Sequence, residues 1–305
     1  MTSVKVGFIG LGTMGASMAS NLQEAGYELV VNDIRRHVAE AHLAAGADWA
    51  DSAAQVAEAS DVIFSSLPTP PDVEAVANAM LPKLSPGKVY FDLSTNSPTL
   101  IRELHARFEK QGVHLLDAPV SGGPAGAKSG KLAIWVGGER EIFQTHKKLL
   151  DAIGDQVMYV GPIGSGSIAK LVHNCTGYMI QCALAEAFTM GVKAGVEPLA
   201  LWQAVRQGAV GRQRTFDRLP DHFLSAHFDP PAFSLRLAHK DVSLATQVGR
   251  EHHVPMRMAH LALEELTEAL NRGWGERDSR VAMLLQEERS QLEIKVDEDR
   301  LREAM

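Results

Sequence analysis

Val4-Lys-Val-Gly-Phe-Ile9, followed by Gly10-Leu-Gly12-Thr-Met-Gly15 and the helical pattern Ala16 to Ala25, decides how the chain begins to fold. A short apolar run breaks at a GxGxxG and passes directly into a helix. Glycines suit that position because the chain must turn sharply, bring its backbone against a pyrophosphate and let the helix pack close to the strand. The glycine pattern alone is common in α/β proteins, so its context carries the reading. A second strand, Tyr27 to Val31, ends in Asn32 and Asp33, and Asp33 stands eighteen residues beyond Gly15, the spacing of a dinucleotide fingerprint. Gly10, Leu11, Gly12, Thr13, Met14, Gly15, Asn32 and Asp33 are therefore the candidate cofactor-binding residues. A carboxylate at position 33 accepts hydrogen bonds from a ribose hydroxyl and repels a 2'-phosphate, which favours NAD over NADP. Arg35 and Arg36 follow at once. As solvated residues they change nothing, whereas as phosphate ligands they would admit NADP.

Outward from this stretch the same rhythm continues. Apolar runs at Val62 to Ser66, Val89 to Leu93, Val113 to Leu116, Leu132 to Val136 and Val157 to Val160 are mostly separated by helix-compatible residues, which predicts a parallel, doubly wound sheet. Such a sheet holds its ligand at the carboxyl ends of its strands. That draws attention to Leu67 and Pro68, to Ser94 and Thr95, and to Ala118 through Gly123. After the turn cluster Gly161-Pro-Ile-Gly-Ser-Gly166 the strand signal stops, and helical patterns run on, broken at Pro198, Pro230-Pro231, Pro255 and Gly273. The expected fold class is α/β: a Rossmann-type doubly wound sheet over residues 1–162, then an all-α domain over residues 163–305 for substrate binding and dimerisation. The charged tail from Glu287 is expected to be a surface helix that frays.

Composition narrows the partners. With 305 residues and 45% hydrophobic content the chain can bury two cores. A net charge of -7 provides no basic field for nucleic acid or anionic membrane. The first residues lack the charged region of a secretion signal, and no apolar run nears the roughly 20 residues that span a bilayer. Cys175 and Cys182 form neither a CxxC pair nor a disulfide framework, consistent with a reducing cytoplasm. The histidines His239, His252, His253 and His260 lack ligand spacing, so no metal is expected.

Two segments stand out chemically. Asp117-Ala-Pro-Val-Ser121-Gly-Gly-Pro-Ala-Gly-Ala-Lys-Ser-Gly130 reads as a glycine-rich loop, either a plain connection or a set of exposed amides and a hydroxyl suited to an anion such as a carboxylate. In Gly164-Ser-Gly-Ser-Ile-Ala-Lys170-Leu-Val-His173-Asn174 the lysine and asparagine are four apart and share a helix face. A lysine on an otherwise apolar helix is either a proton donor and acceptor of lowered pKa or a residue that snorkels to the surface.

Taken together, these motifs resemble the 3-hydroxyisobutyrate dehydrogenase group of β-hydroxyacid dehydrogenases. The resemblance spans nearly the whole chain. It rests on Phe8 to Gly15 with Met18-Ala-Ser-Asn21-Leu22, on Asp92-Leu-Ser-Thr95, on Ala118 to Gly123 with Gly126-Ala127 and Gly130, on Gly164 to Asn174, and on Lys240-Asp241 with Leu244-Ala245. It implies a hydride-transfer enzyme acting on a small carboxylate and assembled as a homodimer or homotetramer. It implies further that Lys170 is catalytic and that Ser121, Gly122 and Gly123 hold the substrate carboxylate, with Asn174 helping to fix its position. Leu67, Pro68 and Thr95 would line the nicotinamide end, and Lys240 would close over cofactor and substrate with Asp241 beside it.

One departure bears on the reaction. Many relatives have asparagine where this chain has His173, and Lys-Leu-Val-His-Asn is similar to the lysine motif of 6-phosphogluconate dehydrogenases, which raises oxidative decarboxylation as a rival. Those enzymes carry a glutamate seven residues beyond the lysine, and that position here is Gly177. Simple dehydrogenation is therefore preferred. His173 either bonds the substrate or packs in a polar pocket. Arg212 and Arg214 fall where the family contacts the far end of its substrate, as a second anion site or as ordinary surface arginines. A cofactor-binding regulator and an imine reductase are further alternatives, and an intact Lys170 argues against both. The substrate itself, whether hydroxyisobutyrate-like, a sugar acid or a β-hydroxy amino acid, stays open.

Overall fold

A computed structural model describes residues 4–193, 195–208, 211–212, 218–251 and 255–304, without the side chains of 186, 187, 189, 190 and 304. Its elements run β1 Lys5–Ile9, α1 Gly15–Glu24, β2 Glu28–Asn32, α2 Glu40–Ala44, β3 Asp48–Trp49, α3 Ala53–Ala59, β4 Val62–Ser65, α4 Pro70–Met80, β5 Val89–Asp92, α5 Pro98–Glu109 and β6 His114–Asp117. Next come β7 Val120–Ser121, α6 Gly123–Ser129, β8 Leu132–Gly137, α7 Arg140–Asp151 and β9 Gly154–Gly161. The rest is helical: α8 Ser165–Lys193, α9 Pro198–Gln207, α10 Leu219–His222, α11 Leu235–Glu251, α12 Arg257–Asn271, α13 Leu284–Ser290 and α14 Glu298–Ala304. Contacts divide the chain into two compact units, Met1–Leu171 and Val172–Met305, so the division falls inside α8.

In the first unit the strand order is β3-β2-β1-β4-β5-β6-β8-β7, with β9 beside β8. From β3 through β6 every pairing is parallel. The order reverses between β1 and β4, which opens the crevice where such sheets bind ligands. Both faces are covered, so successive strand residues all find a core and the runs read as continuously apolar. On one face Phe8, Phe64 and Phe91 sit in register, with ring centroids 6.2 and 5.3 Å apart. On the other, Ile63, Tyr90 and Leu115 pack against Val73, Ile101 and Leu104 of the covering helices.

The sequence expectation needs three corrections here. Strand β8 is antiparallel to β6 and β7 and parallel to β9, so the sheet is not parallel throughout. The supposed loop 117–130 holds a strand and a helix: Pro124 fits the first turn of α6, whose own N–H would be unpaired anyway, and Gly130, at φ 66°, closes the helix in the left-handed region. The C-terminal tail is not a single surface helix. Leu292, Ile294 and Val296 alternate along an extended segment, and with Leu301 they join a core around Trp202, Phe188 and Phe223. A second cluster in this unit gathers Phe228, Leu235, Val242 and Leu266.

Candidate active site

The turn after β1 is shaped by three different glycine requirements. Gly10 has φ 92°, and a Cβ there would lie 2.4 Å from the Ser66 carbonyl oxygen. At Gly15 a Cβ would lie 1.9 Å from the Gly10 oxygen, so helix and strand can approach only if that residue is glycine. A Cβ at Gly12 would meet nothing within 4 Å. The protein itself does not need a glycine at position 12, and the open space is what a dinucleotide pyrophosphate requires. The N-cap of α1 is Met14, whose side chain makes no capping bond, and Ala16 N donates to the Gly12 carbonyl at 3.0 Å. Leu11 and Thr13 complete the turn.

Asp33 reaches back to this turn. Its side chain is 7% exposed, with Oδ2 accepting from Leu11 N at 2.8 Å and Oδ1 from Arg35 N at 2.9 Å. Asn32 directs its amide to the Ala50 carbonyl, 2.8 Å away. A cavity of about 410 Å³ opens beside them, lined among others by Ile34, Arg36, Trp49 and Asp51. The Arg36 guanidinium lies over the Trp49 ring, 5.1 Å from its centre, and 3.7 Å from the Asp51 carboxylate.

The loops after β4 and β5 share a buried polar support that sequence reasoning missed. Asp92 is fully buried and accepts from Ser65 Oγ at 2.9 Å, Ser94 N at 3.1 Å and Asn96 Nδ2 at 2.9 Å. Ser94 Oγ in turn accepts from Leu67 N at 2.9 Å. Burial pushes the Asp92 carboxyl up, against the pull of these hydrogen bonds, and burial also lifts the neighbouring Tyr90 hydroxyl well above its usual range. The turn bearing Leu67 and Pro68 is thus tied to the turn bearing Thr95. The legible signal was Asp-Leu-Ser-Thr at a strand end, and its buried partners Ser65 and Tyr90 carry no local mark.

Asp117, at the end of β6, is 1% exposed, and its two oxygens accept from Gly164 N at 2.7 Å and Ser167 N at 2.6 Å. Gly164 is the N-cap of α8, since its carbonyl takes the first helical bond from Ile168 N. Having no side chain, it cannot cap the helix itself, and Asp117 supplies the cap from another element. Close approach around this carboxylate demands glycine: a Cβ at Gly166 would lie 2.2 Å from the Trp135 carbonyl oxygen, and one at Gly137 would lie 2.5 Å from Asp117 Oδ1. Burial raises the Asp117 carboxyl above its ordinary value, and the capping bonds act in the opposite direction. Its residue places two predicted segments. The chain leaves Asp117 toward Ser121, Gly122 and Gly123, the last two solvent-exposed with φ 142° and 62°, while Lys170 stands one turn beyond Ser167 on α8.

In the second unit Asn174 and Asp241 meet. Asn174 Nδ2 donates to Asp241 Oδ2, and Lys240 Nζ lies 2.9 Å from Asp241 Oδ1. Asp241 is completely buried, so its carboxylate serves neighbouring side chains. Lys170, His173, Asn174 and Gly177 fall on one face of α8, with His173 exposed and Lys170 and Asn174 partly buried. Arg212 donates from Nε to the Gln207 carbonyl at 3.1 Å. Arg214, like His252 and His253, lies outside the described residues. Among the described residues no cluster of three metal-ligating side chains occurs, and no helix is long and apolar enough to cross a membrane.

Sheet topology and glycine turn define the class of the first unit as a dinucleotide-binding α/β domain. Comparison with known proteins narrows it. Residues 5–161 match the model for the NAD binding domain of 6-phosphogluconate dehydrogenase, and residues 164–285 match the NAD-binding domain of NADP-dependent 3-hydroxyisobutyrate dehydrogenase. The chain is 34% identical over 279 residues to 2-(hydroxymethyl)glutarate dehydrogenase of Eubacterium barkeri, covering 90% of this chain and 92% of that one. It is likewise 34% identical over 289 residues to the NAD-dependent L-serine dehydrogenase of Pseudomonas aeruginosa, covering 92% and 97%. Among solved structures, Mycobacterium tuberculosis 3-hydroxyisobutyrate dehydrogenase with L-serine superposes with a TM-score of 0.84 at 27% identity, covering 93% and 99%. The chain belongs to the 3-hydroxyisobutyrate dehydrogenase family and is an NAD(P)-dependent hydroxyacid dehydrogenase.

Proposed function

We propose that the chain interconverts a small β-hydroxy acid and its aldehyde or ketone, using NAD in preference to NADP, with Lys170 as general acid and base. The observation that carries this reading is the anchoring at Asp117, from which the Ser121 segment departs and on which the start of the Lys170 helix is capped. Such sharing suits two groups that must address one substrate. When bound, the nicotinamide accepts the hydride from the carbinol carbon or returns it. Gly12 leaves room for the cofactor's pyrophosphate at the start of α1. Ser121 and the amides of Gly122 and Gly123 hold the substrate carboxylate, which fixes the carbon presented for reaction. Neutral Lys170 takes the hydroxyl proton at Nζ as the alcohol is oxidised, and in reverse it returns that proton to the developing alkoxide.

Asp33 supports the NAD preference, because a buried carboxylate beside the adenosine cavity repels a 2'-phosphate, and Arg36 is already engaged by Trp49 and Asp51. A homodimer or homotetramer in the cytoplasm is the proposed setting. The test is absorbance at 340 nm with NAD and NADP separately, over a panel of 3-hydroxy acids, sugar acids and β-hydroxy amino acids. Turnover by the wild type should fall at least a hundredfold in Lys170→Ala, in line with loss of a general base, while NADH binding survives. An unchanged variant would remove Lys170 from the chemistry.

A further inference from the structure

Each of the two arginines after β2 is held by a carboxylate, and the two carboxylates come from different parts of the first unit. Arg35 Nε lies 3.4 Å from Asp33 Oδ1, within the strand-end turn itself. Arg36 is held from outside that turn. Asp51 follows β3, which pairs in parallel with β2 so that Trp49 stands opposite Val31. Three bonds fix this corner: Trp49 Nε1 donates to Asp51 Oδ1 at 2.6 Å, Asp51 N donates to Gln55 Oε1 at 2.7 Å, and Ser52 Oγ accepts from Gln55 N at 3.3 Å. Indole and carboxylate are thus tied to each other as one dock. The Arg36 guanidinium rests on it, 5.1 Å from the ring centre and with Nη1 3.7 Å from Asp51 Oδ1. Asp33, Arg36, Trp49 and Asp51 all line the adenosine cavity.

We infer that Asp51 is a positioning residue for cofactor choice: by docking Arg36 against Trp49 it withholds the guanidinium that a 2'-phosphate needs, and so disfavours NADP. This rests on the proposed NAD preference and adds to it a second determinant, outside the strand-end position at which Asp33 acts. The argument is one of competition. A guanidinium presents a planar fork of donors that suits phosphate. One already matched by a carboxylate at 3.7 Å gains less from a second anion, and moving it off the indole forfeits the ring contact. The Arg36 and Asp51 side chains are 66% and 77% exposed, so water screens the pair and its effect is a few-fold. The same exposure means that a change at position 51 disturbs no core.

Calorimetric titration of the purified full chain with NADH and with NADPH tests this without any substrate. Asp51→Asn keeps an oxygen for Trp49 Nε1 and removes the charge. Its affinity for NADPH should rise about threefold relative to NADH. The ratio of the two dissociation constants is the readout, because general damage to the site weakens both together. Arg36→Ala alone should change the ratio less than about twofold, since the wild type already withholds that guanidinium. Adding Asp51→Asn to Arg36→Ala should leave the ratio where it was. An unchanged ratio in Asp51→Asn would overturn the inference. So would a gain that persists without Arg36, which would mean that Asp51 repels the phosphate directly. A larger loss of NADPH binding in Arg36→Ala would overturn it too, with no need for Asp51→Asn to fold. The NAD preference is read separately, from the wild type: tighter binding of NADPH than of NADH would remove that preference, while the shift in Asp51→Asn would still decide the role of Asp51.

Discussion

Gly12 and Gly15 belong to one motif, yet the structure predicts opposite consequences for replacing them with alanine. At Gly12 a Cβ meets nothing within 4 Å, and the residue is not among those with positive φ. Gly12→Ala should leave the apo protein as stable as the wild type or raise its stability by about 0.4–1 kcal/mol through the unfolded state. With cofactor present the same methyl occupies space the pyrophosphate needs, an overpacking cost of about 1–3 kcal/mol, equivalent to roughly 5- to 150-fold weaker binding. Gly15→Ala places its Cβ 1.9 Å from the Gly10 oxygen and 3.0 Å from the Gly10 carbonyl carbon, so backbone must move. We expect that variant to lose about 3 kcal/mol or more without any ligand. Thermal unfolding with and without NADH separates the two. At a hundredfold excess over Kd the wild type gains about 2.7 kcal/mol from ligand, and Gly12→Ala at the same NADH concentration should gain only about 0.3–1.8 kcal/mol. If Gly12→Ala binds NADH like the wild type, or melts early without it, the assignment of that space to cofactor is wrong.

Two further outcomes follow from single carboxylates. Glu287 is 6% exposed, and burial pushes its pKa to about 7 against an ordinary 4.5. The folded state therefore holds this proton more tightly than the unfolded one. The stability contributed by this group is highest below pH 4.5, falls as pH rises through 4.5 to 7, and becomes a constant cost above 7. Glu287→Gln should match the wild type near pH 4.5 and be more stable at pH 8 by at most about 3.5 kcal/mol, the full shift from 4.5 to about 7 at about 1.4 kcal/mol per unit; equal melting temperatures at pH 8 would contradict this. Replacing Asp33 by serine removes the charge beside the adenosine cavity, so the NADP to NAD ratio of kcat/KM should rise about tenfold or more. Overall affinity should also drop, because Leu11 N and Arg35 N lose their acceptor. An unchanged ratio would place cofactor choice elsewhere.

Sequence and structure part company where information is not local. The runs around Phe8, Phe64 and Phe91 were legible because both faces of a parallel sheet are buried, and Gly10, Gly15 and Asp33 because a turn, a close approach and a strand end fall in one short window. The two-residue strands β3 and β7 and the antiparallel course of β8 were not legible, since pairing partner and direction leave no trace in composition. Leu292, Ile294 and Val296 alternate as a strand would, but acidic and basic neighbours hid them in an apparently solvated tail. In the candidate site, Lys170 and Asn174 were legible as a helical pair. Asp241 drew notice only as a neighbour of Lys240, because the contact joining it to Asn174 spans 67 positions. Asp92 and Asp117 stood in the sequence only as the first residues of quoted motifs, and their partners could not be read.

The remote cap on α8 also constrains the order of assembly. Gly164, Ser165 and Gly166 give the first turn of that helix little reason to form alone, with glycine costing about 1 kcal/mol relative to alanine in a helix. The acceptor for Gly164 N and Ser167 N arrives only when β6 has brought Asp117 into place, 47 and 50 residues upstream. A peptide of residues 161–193 should therefore begin its helix later than the intact protein does. During folding, the turn preceding Lys170 gains its cap only once β6 has placed Asp117.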